Sequence, residues 1–192
     1  MRFDLKSSFN MKYLDQYSIP VKGMNLGMHE YFYDIDNEFF SHIENSLISE
    51  GKYVAKVNCD RKDNMFVLDF EISGTYSAPC DRCLVKIDVP SVIDYSVFVK
   101  EGIPGDEIIS EDLEEDVIYI DEKESRFNIS GLLYQLIVLS MPLSNRYDCE
   151  NDPEPKCDFA LLSKFEGEAE ENSNENSSIN PIWDSLRDII KN

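Results

Sequence analysis

The sequence predicts an α+β fold: a mostly antiparallel sheet or partial barrel, a few packed helices and an acidic disordered C-terminal linker. Three observations carry this. Residues 53–59, 66–72 and 92–99 alternate apolar and polar side chains with a period of two, the mark of half-buried strands. Apolar residues recur at helical spacing after residue 36 and again from 129 to 141. The 192 residues are 42% hydrophobic and 11% aromatic, so the chain can bury a sizeable core without a staple.

Among the first 25 residues, Pro20 and Gly23 mark turns, and Phe3, Leu5 and Ile19 are candidates for a sheet edge. Glu30-Tyr-Phe-Tyr-Asp-Ile35 is aromatic and β-branched and reads as a strand. Asp36 is placed to cap a helix carrying Phe39, Phe40, Ile43 and Leu47, with Gly51 as its C-terminal cap. Tyr53, Ala55, Val57 and Cys59 share one strand face. Phe66, Leu68, Phe70 and Ile72 share another, and Asp60–Asn64 between them supplies a hairpin turn. The third strand alternates through Ile93, Tyr95, Val97 and Val99, with Pro90 at its entry or at a bend.

Residues 101–116 read as an acidic loop, and Val117-Ile-Tyr-Ile120 as a short strand. Asn128 or Ser130 caps a helix carrying Ile129, Leu132, Leu133, Leu136, Ile137 and Met141. Val138 and Leu139 extend its apolar surface nearly all round, which predicts a buried helix stopped by Pro142. Residues 166–180 hold almost no apolar side chains and read as a disordered acidic linker. Helical spacing returns at 181–192 in a short amphipathic helix whose Trp183, Leu186 and Ile189 form a candidate partner-binding face, docked on its own chain or on another protein. The organisation expected is thus a domain over 1–165, the linker 166–180 and the helix 181–192.

Eighteen Lys and Arg against 38 Asp and Glu give a net charge of −20. Residues 1–100 carry 11 basic and 15 acidic side chains, and residues 101–192 carry 7 and 23. Affinity for nucleic acid comes mainly from cations that displace phosphate counterions, so this surface argues against direct nucleic-acid binding and for solubility or basic protein partners. The opening residues lack an apolar run of secretory length, and no run of about 18 apolar residues offers a membrane span. Five cysteines in such a chain point to reduced thiols or metal ligation, and to a cytoplasmic protein.

Cys80 and Cys83 are spaced as C-x2-C between two strands, so both sulfurs can aim at one point, as a tetrahedral Zn²⁺ requires of a ligand pair. Cys149 and Cys157 form a second pair across seven residues stiffened by Pro153 and Pro155. Four thiolates make a closed structural zinc site, and Arg82, Lys86, Arg146 and Lys156 offset its charge. Competing readings are free or buried thiols and a redox pair, the latter disfavoured because strands rather than a helix N-terminus flank Cys80. Cys59 reads as core filler, and His29 and His42 as solvated or hydrogen-bonded side chains. No hydrolase elbow, phosphate loop, zinc-protease or dinucleotide motif is present, so the chain reads as non-enzymatic.

Cys80-Asp-Arg-Cys-Leu84 after a strand, an acidic insertion, a helix ending Leu-Ser-Met-Pro142 and trailing cysteines together resemble the YceD/DUF177 family over about residues 15–162. The resemblance implies a role in accumulation or processing of large-subunit (23S-type) ribosomal RNA without enzymatic activity. The chain departs from it in the wide Cys149-x7-Cys157 spacing and in lacking a glycine after the second pair. With the charge, the resemblance implies action through basic ribosomal proteins or rRNA-processing factors. The alternative is a zinc-stabilised interaction adaptor unrelated to ribosomes.

Overall fold

The computed structural model describes residues 11–102, 117–149 and 151–164. The chain divides into two compact units: Met1–Pro79 with Lys86–Asn145, and Cys80–Val85 with Arg146–Asn192.

The first unit opens with one helical turn, α1 (Met11–Leu14), and a short strand, β1 (Ser18–Pro20). Then follow β2 (Gly27–Ile35), α2 (Asn37–Ser41), β3 (Gly51–Arg61), β4 (Met65–Pro79) and β5 (Lys86–Glu101). After these come β6 (Val117–Ile120), β7 (Arg126–Asn128) and α3 (Ser130–Leu139). The main sheet has the order β2-β3-β4-β5-β6, antiparallel except for the parallel β5–β6 pair, while β1 and β7 pair separately. The sheet is open, with β2 and β6 at its edges among the described residues. It is therefore the antiparallel-sheet form of the expected class and not a closed barrel.

Register follows the alternation. Tyr53, Ala55, Val57 and Cys59 meet Phe66, Leu68, Phe70 and Ile72 on one face, and Ile93, Val97 and Val99 continue it on β5. A one-residue slip would turn all of these into water, so burial fixes the pairing. Phe39 and Phe40 of α2, Leu133, Leu136 and Ile137 of α3, and Ile19 and Phe127 of the small sheet close the core. Tyr17 packs edge-on to Phe39 at 4.9 Å between ring centres, and Tyr53 bonds Ser91 Oγ at 3.0 Å inside the core.

Several elements differ from expectation. Asp36 does cap α2, its Oδ1 accepting from the N–H groups of Glu38 and Phe39 at 3.0 and 3.2 Å. The helix nevertheless ends at Ser41. Asn45 has a positive φ of 56°, and Ser46 Oγ bonds locally to both backbone groups of Ile48, an alternative that serine offers the chain in place of helix. Leu47 is exposed, and Gly51 begins β3 instead of capping a helix. Glycine is needed there because a Cβ would lie 2.9 Å from the Phe40 ring.

The hairpin turn shrinks to residues 62–64, since Arg61 still pairs with Phe66. Pro90 falls within β5, opposite Thr75 but outside the Phe98–Glu101 stretch paired with β6, so its missing N–H breaks no ladder on that side. In α3, Leu133, Leu136 and Ile137 are buried while Leu139 is 80% exposed. Three consecutive aliphatic residues cannot all face one sheet, so the apolar periphery does not bury the helix all round.

In the second unit, Cys80–Val85 closes on itself: Cys80 N–H donates to Val85 O and Leu84 N–H to Cys80 O, both at 2.8 Å. Leu84 takes a φ of +60° to make this turn. The segment from Arg146 folds through a Tyr147–Asp152 hydrogen bond and ends in a helical stretch over 159–164, whose first turn Asp158 caps at Leu161 N–H.

The acidic residues 103–116, the N-terminal Phe3 and Leu5, the linker 166–180 and the helix carrying Trp183, Leu186 and Ile189 lie outside the described residues. No helix among the described residues is long and apolar enough to cross a membrane.

Candidate functional site

The candidate site lies in the second unit, on the turn that joins β4 to β5. β4 and β5 pair without interruption to Pro79 opposite Lys86, leaving six residues to join them. Those residues are the C-x2-C turn. Cys80 and Cys83 are both free thiols and both buried. Burial works against ionisation of Cys80, but the backbone N–H groups of Arg82 and Cys83 and the Cys83 thiol converge on its sulfur, and the balance holds its pKa below the ordinary thiol value. Two sulfurs facing each other over a cradle of backbone donors are a fitting half of a tetrahedral thiolate site.

Cys149 and Cys157 also come together, their Cα atoms 6.4 Å apart, and the structure joins them as a disulfide. From the sequence, reduced thiols or metal ligands are expected at these positions. The proline-stiffened spacer folds back far enough to place the pair within bridging distance. A disulfide sulfur is not a thiolate ligand, so in this form only Cys80 and Cys83 offer metal donors from the expected set. Among the described residues no group of three or more His, Cys, Asp or Glu side chains is placed to hold a metal ion. All four cysteines nonetheless belong to the same compact unit, although 65 residues of sequence separate Cys149 from Cys83.

The expected cations divide between the units. Arg82, Arg146 and Lys156 belong to the second, where Lys156 lies 6.0 Å from the centre of the Tyr147 ring. Lys86 belongs to the first and is held by Glu50 at 2.6 Å. Cys59 is wholly buried beside Met24, as core filler should be, and burial pushes its thiol up to about 11. His29 bonds Asn25 O at 2.8 Å, and His42 stacks on Tyr13 at 4.3 Å.

Sequence reasoning missed two features. The disulfide has no signal beyond the spacing itself. Leu84 is 68% exposed although it sits in the left-handed region that favours glycine, and only its place after the second cysteine of a tight turn hints at that conformation.

Fold and site together define a sheet protein whose longest hairpin is joined by a two-cysteine turn, and that turn belongs with the later cysteines to one compact unit. A family model described as "Large ribosomal RNA subunit accumulation protein YceD" matches residues 68–190, and the chain belongs to that family. The match begins in β4 and includes all four site cysteines. No curated protein and no solved structure matches the chain.

Proposed function

We propose that this protein is a non-enzymatic ribosome-biogenesis factor of the cytoplasm that supports accumulation or processing of large-subunit (23S-type) ribosomal RNA through contacts with proteins. Membership of a family named for large ribosomal RNA subunit accumulation carries this reading. The net charge of −20 favours basic ribosomal proteins or rRNA-processing factors as the direct contacts. The family match runs to residue 190 and so takes in Trp183, Leu186 and Ile189, which support a role for the C-terminal segment in partner binding. In a reduced cell, the four cysteines of the second unit would hold a structural Zn²⁺, with Cys80, Cys83, Cys149 and Cys157 closing its coordination shell.

Two experiments test the parts separately. In cells lacking the protein, mature large-subunit rRNA falls relative to small-subunit rRNA, and the tagged protein sediments with precursors of the large subunit. Normal rRNA with no sedimentation would leave the adaptor reading. Elemental analysis of protein purified under reductant returns about one zinc per chain, lost in both Cys80→Ser and Cys149→Ser. Zinc kept by the second variant confines the metal to the first pair, and no zinc in the parent protein removes it.

A further inference from the structure

The face of the main sheet turned away from the core has a composition that its own fold does not use. Register places two cross-strand rows side by side there. One runs Asp34, Val54, Ser73, Val92, and the next runs Phe32, Lys56, Glu71, Asp94. Phe32, Val54 and Val92 are 64%, 48% and 72% exposed, a large apolar content for the solvated face of an antiparallel sheet. The second row sets Glu71 directly opposite Asp94. Like charges facing each other across a strand pair repel. Lys56 is the cation of the row, and it is already engaged by Glu30 at 3.3 Å and Glu71 at 3.8 Å. Asp94 has no cation within ion-pair reach among the described residues.

We propose that this face is the docking surface for a basic protein segment, which lays apolar side chains over Phe32, Val54 and Val92 and brings a Lys or Arg to the Glu71–Asp94 pair. The inference rests on the proposed role in large-subunit assembly and deepens it by naming where the basic partner binds. Charge complementarity selects this occupant. A phosphate backbone would add negative charge to two carboxylates whose one lysine, Lys56, is shared with Glu30, whereas a guanidinium or ammonium group supplies the cation that Asp94 lacks. Exposed apolar side chains beside carboxylates match the core and rim of a protein interface.

The probe is the protein mixture released from purified large ribosomal subunits by high salt and freed of RNA, passed over the immobilised full-length chain at physiological ionic strength. The wild-type chain retains one or more basic proteins identified by mass. Glu71→Gln with Asp94→Asn, and separately Phe32→Ser with Val92→Ser, each lower that retention at least about tenfold. Circular dichroism and a thermal midpoint close to wild type show that both double variants remain folded. Undiminished retention by both variants overturns the docking surface, and so does a wild-type chain that retains none of these proteins. The ribosomal reading is judged apart from either result, by rRNA levels in cells lacking the protein.

Discussion

Leu84 holds a left-handed φ of +60° with its side chain largely in water. An L-residue pays about 1 kcal/mol there, and little burial is recovered in return. Leu84→Gly removes that strain and adds back part of glycine's larger unfolded-state entropy. The expected net gain is about 0.5 kcal/mol in urea unfolding, and a loss of stability would show that the leucine packs in the folded state. Two buried acids in the first unit make a second prediction. Burial pushes the Tyr33 hydroxyl from its ordinary 10.0 up to about 12 and the Cys59 thiol from 9.0 up to about 11. The Tyr33 hydroxyl is buried with no hydrogen-bond partner among the described residues, and desolvation outweighs the pull of Arg126 towards its anion. Between those values the unfolded chain has released protons that the folded chain still holds. Stability is therefore undiminished below about pH 9 and falls as pH rises from 9 to 12. Tyr33→Phe flattens the upper part of that fall, read as the thermal midpoint against pH.

At the scale of elements, the strands were legible because a half-buried strand writes its two faces into the sequence. Each of the three period-two segments lies in a strand; their lengths were underestimated, and Tyr95, on the apolar row of the third, is 44% exposed. Beyond the alternating core of each strand, hydrogen bonding to a neighbour continues without an alternating pattern, as in the Ser73–Pro79 end of β4. The helix expected after Asp36 shows the opposite limit. Its apolar spacing is real, but Asn45 and the local bonds of Ser46 divert the chain before the period completes. Gly74 illustrates information that no period carries. A Cβ at this position would sit 2.6 Å from both the Cα and a ring carbon of Tyr53, the residue opposite on β3. Neither strand can give way without moving the Tyr53–Ser91 hydrogen bond. Gly74→Ala should cost roughly 3 kcal/mol in urea unfolding, with an unchanged denaturant slope. An alanine variant as stable as the parent would mean that β3 and β4 separate more easily than their register implies.

For the whole molecule, the pairing of Cys80–Val85 with the segment from Arg146 leaves no trace in periodicity, and only the cysteine spacing suggested that these distant stretches belong together. Charge is different, because it is fully legible and acts over the entire surface. A protein carrying −20 repels a phosphate backbone, and salt weakens that repulsion. The sign of the salt effect therefore separates the two modes of action. A protein that binds RNA by releasing counterions binds more tightly as salt is removed. This chain should bind bare large-subunit rRNA fragments no better than about 10 µM at about 0.15 M salt, and no more tightly when the salt is lowered, as read by fluorescence anisotropy. Its retention of basic large-subunit proteins should instead strengthen as salt falls, because those charges attract. Tight RNA binding that weakens steeply with added salt would move the contact with the ribosome from protein to nucleic acid.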